Sequence, residues 1–177
     1  MRLFIALDLE ELKDILNPLK GSLPEQPSLN LTKDNHLTLK FLGEVEETKL
    51  EEIKQQLNTI SFPQFQITLD NVGYFPNEEY LKVIWVGITP KDEITKLQEK
   101  IEESLKEFNF KKDHKFHPHI TLARIRFIKD KQEFKKQIKD IKVKKESITI
   151  DNFKLIKSIL TPKGPIYEDL ETYSIRE

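Results

Sequence analysis

Two short blocks recur in this chain, in the same order and at nearly the same separation. His36-Leu37-Thr38-Leu39 returns as His119-Ile120-Thr121-Leu122, 83 residues on, and Ile67-Thr68-Leu69-Asp70-Asn71 returns as Ile148-Thr149-Ile150-Asp151-Asn152, 81 residues on. Strands favour Ile, Leu and Thr for packing reasons, which accounts for either block alone but not for the paired histidines at a common offset. The pattern is that of a duplicated unit. Such a unit packs as two similar lobes about a pseudo-twofold axis, and the cleft between them is the natural ligand site. At 177 residues the expectation is a single bilobed domain spanning 1–177.

Hydrophobic periodicity fills in the elements. Leu3–Leu9 reads as a strand, and Leu12, Ile15, Leu16 and Leu19 as a helical stripe ending near Asn17-Pro18 and Gly21. Leu23–Lys33 reads as a loop, and His36–Leu42 as a strand closed by Gly43. Thr48 and Glu51 match a capping box ahead of Leu50, Ile53, Leu57 and Ile60. Phe65–Phe75 and Leu81–Ile88 form a hairpin pattern across Pro76-Asn77-Glu78-Glu79. Thr89-Pro90-Lys91-Asp92 predicts a helix start, with proline at its first position, ahead of the stripe Ile94, Leu97, Ile101, Leu105 and Phe108. A strand over His119–Ile125, a helix opened by Asp130 and Glu133, one long strand over Glu146–Leu160 and a last strand over Tyr167–Ile175 complete the order. Short connections imply mainly antiparallel sheets with helices on their outer faces, an α+β fold of two pseudo-symmetric lobes.

Composition removes several chemistries. The chain has no cysteine, so disulfides, thiolate metal sites, iron–sulfur clusters and cysteine nucleophiles are excluded. No run of about 18 apolar residues exists, and the opening Met1–Asp8 turns acidic too early for a signal peptide, so a cytoplasmic protein is expected. The formal net charge of −1 conceals a basic block: Lys111–Lys145 holds 13 Lys and Arg against 4 Asp and Glu. That block is either a solvated lysine-rich helix face or an attraction for an anionic polymer.

The chemistry rests on four histidines: His36, His114, His117 and His119. Side chains alternate along a strand, so His36 and Thr38 share one face while Leu37 and Leu39 take the other; His119 and Thr121 repeat this against Ile120 and Leu122. Each lobe then offers one imidazole beside one hydroxyl. With an ordinary pKa of about 6.5, one imidazole can be neutral and the other protonated near neutrality, which suits acid–base cleavage of a phosphodiester without metal or cofactor. The threonine hydroxyls are placed to hold the phosphate oxygens. His117 has the parity of His119 and can line the same site. The alternative is a zinc site from His114, His117 and His119, whose nearest acid is Asp113.

His36-Leu37-Thr38-Leu39-Lys40-Phe41-Leu42-Gly43 and His117-Pro118-His119-Ile120-Thr121-Leu122-Ala123-Arg124 resemble the two signature motifs of the two-histidine phosphoesterase superfamily. Within it the chain is similar to the RNA 2',3'-cyclic phosphodiesterases, first described as 2'-5' RNA ligases. Arg2–Leu7, Val72–Pro76, Val83–Gly87 and Leu160–Tyr167 fit that branch too. The resemblance implies hydrolysis of a terminal 2',3'-cyclic phosphate on RNA to a 2'-phosphomonoester, with His36 as proton donor and His119 as acceptor; the alternatives are ligation forming a 2'-5' linkage by the reverse chemistry, which uses the same histidines, and a non-catalytic RNA-binding module, and a monomer is expected. It also implies a phosphate contact from Arg124; Thr38, Thr121 and Lys40 are expected substrate contacts beside it, and Phe41 is either a ring for a base to stack on or simply a core or rim residue. The residues alone leave the two histidine roles open, since the frames are nearly symmetric. Arg124 and Phe41 are repeat mates, a cation and a ring, and Arg124 has the wrong parity for the site unless the strand bends or bulges.

Overall fold

In a computed structural model of the chain, which describes residues 1–76, 81–112 and 115–175, every strand pairing is antiparallel. The elements are β1 (Arg2–Asp8), α1 (Lys13–Gly21), β2 (Leu29–Leu31), β3 (His36–Glu44), α2 (Leu50–Leu57), β4 (Phe65–Pro76) and β5 (Leu81–Thr89). They continue with α3 (Asp92–Ser104), β6 (His119–Ile125), α4 (Lys131–Asp140), β7 (Ser147–Ile150), β8 (Asn152–Thr161) and β9 (Gly164–Ser174). One sheet has the order β3-β1-β8-β9 and the other β2-β6-β5-β4-β7.

The duplication is visible in this topology, with a twist in the connectivity. The triplets β3-β1-β8 and β6-β5-β4 correspond, and in each the third strand comes from the other half of the chain. The exchange happens at Asp151. The long strand expected over Glu146–Leu160 is two strands: β7 pairs with β4 in one sheet, and β8 pairs with β1 in the other. Alternation cannot reveal this, because both segments keep a two-residue period. The loop expected over Leu23–Lys33 contains the short edge strand β2, which is ordered by pairing with β6.

Helix starts differ from expectation. The capping box at Thr48 does not form, since a short 3-10 turn over Glu47–Lys49 precedes α2 and no side chain caps it. Helix α3 begins at Asp92 after Lys91, also without a side-chain cap, so Pro90 lies outside the helix. Asp130 does cap α4, accepting from the Glu133 amide at 3.0 Å. Helix α1 runs through Pro18 to Gly21. The hairpin turn expected at Pro76-Asn77-Glu78-Glu79 falls mostly outside the described residues.

One contiguous apolar cluster joins the inner faces of both sheets to the helices, with Leu3, Ile5 and Leu7 of β1, Leu37 and Leu39 of β3, and Ile120 of β6 among its members. Fully burying each such side chain is worth about 1.5–3 kcal/mol. A smaller cluster of Phe4, Ala6 and Ile156, with Tyr167 against it, covers the opposite face of the first sheet. Among the described residues no helix is long and apolar enough to cross a membrane.

Lys40 lies inside the protein. It is 1% exposed, and its Nζ donates to Glu102 Oε1 at 2.7 Å and to the Lys111 carbonyl at 3.1 Å, while Gln98 Nε2 donates to the same Glu102 oxygen at 3.1 Å. The expected substrate contact by Lys40 is therefore wrong: the residue is a structural cation tying β3 to α3 and to the segment ahead of β6. Removing one partner of a buried pair costs about 3–5 kcal/mol, because the other charge is stranded. Glu102 is 21% exposed and can turn to water, whereas Lys40 cannot. Urea unfolding should therefore show Glu102→Ala destabilising by about 3–5 kcal/mol, and more than Lys40→Met. The reverse order would mean that Lys40 reaches solvent.

Candidate active site

Both histidine strands carry the same irregularity. Opposite β1, Ala6 pairs with Thr38 but Ile5 pairs with Lys40, so Leu39 is an extra residue. Opposite β5, Trp85 pairs with Thr121 but Ile84 pairs with Ala123, so Leu122 is extra. An extra residue inverts the alternation beyond it. Leu39 and Lys40 are both buried, as are Leu122 and Ala123, and the next residues, Phe41 and Arg124, emerge on the faces that carry His36 and His119. This bulge supplies what Arg124 lacked by simple parity. A second shift at Leu42 precedes Gly43, whose φ of +73° favours glycine and ends the straight part of β3.

Strands β3 and β6 lie against one another where the two sheets meet. The Arg124 guanidinium acts on both His36 and His119, so the two rings lie within electrostatic reach of one cation. Thr38 and Thr121 are half-buried, and neither hydroxyl has a protein hydrogen-bond partner among the described residues. Phe41 is 56% exposed and tilts against Phe4 at 6.0 Å.

The surroundings of the two imidazoles differ. His36 packs on Phe4 and edge-on to Tyr167, both at 5.1 Å between ring centroids. Burial pushes it below the usual histidine range; the Asp34 and Asp8 carboxylates oppose this, while Lys20 and Arg124 reinforce it. Asp8 stands opposite His36 in the β1–β3 register, and Lys154 Nζ bridges Asp8 Oδ2 at 2.7 Å and Asp169 Oδ2 at 2.6 Å. Burial raises the Asp8 carboxyl, but the Lys154 hydrogen bond, the Glu10 amide and the nearby charges outweigh it and hold it low. Asn35, the residue before His36, is buried and clamped: its side chain accepts from Lys20 Nζ at 2.8 Å and donates to Glu10 Oε2 at 3.1 Å.

Among the described residues no carboxylate acts on His119. Its Nδ1–H donates to the His117 carbonyl at 2.6 Å; a carbonyl can only accept, so the neutral ring presents the Nε2 lone pair. Burial pushes this ring low as well; the hydrogen bond to the His117 carbonyl opposes it, and His117 and Arg124 add to it. His117 tilts against Trp85 at 4.8 Å and meets Phe75 edge-on at 5.1 Å, so it lines the aromatic wall beside His119. The Trp85 indole lies flat over Gly73 on the neighbouring strand, where even an added Cβ would collide with it. Sequence reasoning missed Phe4, Phe75, Tyr167, Trp85 and the Asp8–Lys154–Asp169 cluster as neighbours of the histidines. Finding them needs the pairing register, which no local pattern carries. His114 and Asp113 lie outside the described residues, and no group of three His, Cys, Asp or Glu able to hold a metal occurs among the described ones.

Comparison with known proteins gives a consistent result. Residues 13–159 match the family described as the 2'-5' RNA ligase superfamily. The chain is 37% identical to an RNA 2',3'-cyclic phosphodiesterase of Archaeoglobus fulgidus, over 98% of this chain and 99% of that protein. It is 38% identical to one of Thermotoga maritima, over 96% and 93%. Its fold is similar to a crystal structure from Thermus thermophilus, with a TM-score of 0.81, 28% identity and coverage of 99% and 98%. Matching the family over most of its length, and relatives more than a third identical over nearly all of it, the chain belongs to the 2'-5' RNA ligase superfamily.

Proposed function

We propose that this chain hydrolyses 2',3'-cyclic phosphate ends of RNA to 2'-phosphomonoesters, with His36 as proton donor and His119 as proton acceptor. The observation that carries the reading is the pair of equivalent His-x-Thr faces, each turned outward by the same bulge, in a chain whose relatives are named RNA 2',3'-cyclic phosphodiesterases. His119 Nε2 takes a proton from the attacking water as the new P–O bond forms. The P–O3' bond breaks, and protonated His36 delivers its proton to the departing 3' oxygen. Thr38 and Thr121 donate to the non-bridging oxygens, Arg124 balances the growing negative charge, and Phe41 offers its exposed ring to a base. No metal takes part in these steps. Both histidines come from one chain, so residues 1–177 act as one bilobed unit and a monomer completes the site; the RNA substrate makes the cytoplasm its place of work.

The polarity has physical support. Among the described residues, two carboxylates favour the charged form of His36 and none acts on His119, whose tautomer exposes a lone pair. Turnover of a nucleoside 2',3'-cyclic phosphate should persist with chelator present. On a substrate with a much better leaving group, His36→Ala should recover most of its loss while His119→Ala stays impaired, because water must still lose its proton. Rescue of His119→Ala alone would reverse the roles, and activity abolished by chelator would remove the metal-free mechanism.

Thr38→Ala and Thr121→Ala should each raise the barrier by about 2–4 kcal/mol with unchanged urea unfolding, and wild-type rates would make the threonines mere strand formers. The pH profile is a further check. Both imidazoles are held below the ordinary 6.5, first by burial, so the bell in kcat/KM should peak below pH 6.5. The alkaline limb reports loss of the proton from His36. Asp8→Asn removes a charge that favours that proton, so this limb should move to lower pH while the acidic limb stays. An unmoved alkaline limb would dissociate Asp8 from the acid.

A further inference from the structure

Arginine is scarce here, at 4 residues against 25 lysines. Two of the arginines, Arg2 and Arg124, belong to strands at the cleft, and neither forms an ion pair among the described residues. The nearby Lys154, by contrast, is held by Asp8 and Asp169. Arg124 is accounted for by the reacting phosphate. Arg2 is not.

The register fixes where Arg2 stands. On β1 the site face carries Arg2, Phe4, Ala6 and Asp8 in turn. Asp8 is opposite His36, Ala6 opposite Thr38, and Phe4 opposite the exposed Phe41. Arg2 comes next, opposite Glu44 on one side and Ser158 on the other, and Ser158 faces Tyr167. Along the strand the order is thus a phosphate-holding row, an aromatic row, then an unpaired cation, with rows about 6.6 Å apart. The guanidinium charges of Arg2 and Arg124 both reach the Tyr167 phenol, whose ring packs against His36 and Phe4. One tyrosine therefore lies within electrostatic reach of two cations, one from each sheet. A planar guanidinium is suited to a phosphate by its paired donors.

We propose that Arg2 binds a second phosphate, the phosphodiester on the 5' oxygen of the terminal nucleoside, with that nucleoside's base lying over Phe41. The inference rests on the phosphodiesterase reading above and sharpens its substrate. The enzyme is built for the end of an RNA strand, and a mononucleoside 2',3'-cyclic phosphate fills only half of the site.

Three substrates test this: a nucleoside 2',3'-cyclic phosphate, the same compound bearing a 5'-phosphate, and a dinucleotide ending in a 2',3'-cyclic phosphate. At low salt the wild type should show kcat/KM at least about tenfold higher on both two-phosphate substrates, chiefly through KM, and the advantage should shrink as salt rises. Arg2→Ala should bring all three within about threefold of one another, Arg2→Lys should restore part of the difference, and Arg124→Ala should depress all three alike. Equal wild-type rates on the three, or an advantage that survives Arg2→Ala, would overturn the proposal. So would an advantage confined to the dinucleotide, which would assign it to the extra base. An equal loss on all three in Arg2→Ala would move Arg2 to the reacting phosphate. No wild-type turnover of any of them would remove the phosphodiesterase reading and this inference together.

Discussion

A single extra residue in each histidine strand sets the rest of the site. In a regular strand His36, Thr38 and Lys40 would share one face, as would His119, Thr121 and Ala123. Leu39 and Leu122 interrupt that alternation at the same point of the repeat, so that Phe41 and Arg124 turn outward while Lys40 and Ala123 turn in. In the second strand the inward residue is a small apolar one and nothing more is needed. In the first it is a lysine, and a buried ammonium must be matched. Glu102 of α3, held by Gln98, and the Lys111 carbonyl supply the match. The same contact that neutralises the misplaced charge also fastens the segment leading to the second histidine.

A duplicated fold ought to give two equivalent imidazoles, and an acid–base pair cannot be equivalent. The difference comes from what pairs with each histidine across the strand ladder. His36 faces Asp8, itself fixed by Lys154, whereas His119 faces Gly87. A glycine carries no charge and leaves room for the aromatic wall of Trp85, Phe75 and His117. One lobe therefore sets a carboxylate beside its imidazole and the other an aromatic wall, although the local sequences around the two are almost the same.

Much of this was legible in the residues and some of it was not. The His-x-Thr frames, their outward faces, the antiparallel hairpins and the α4 cap follow from spacing and local chemistry. The bulge is only half legible: the parity of Arg124 demands one, but the same event sends Lys40 inward, and a motif offers no sign of that. The exchange at Asp151 and the recruitment of β2 are long-range pairings that compete with equally good local readings, so alternation alone merges β7 with β8 and leaves Leu29–Leu31 in a loop. The failed caps at Thr48 and Thr89 are of the same kind, with tertiary packing overriding a modest local preference.

The exchanged strands carry a mechanical consequence. Each sheet is completed by a strand that the chain delivers from its other half, and β7 and β8 are joined through one residue across the two sheets. Two lobes linked by a flexible neck can rock open and shut; two lobes joined through one residue and sharing one apolar core can separate only by exposing that core to water. The placing of the two histidine strands against one another is therefore set when the chain folds. A site built on strands held in this way needs no closing jaw to bring its two halves together.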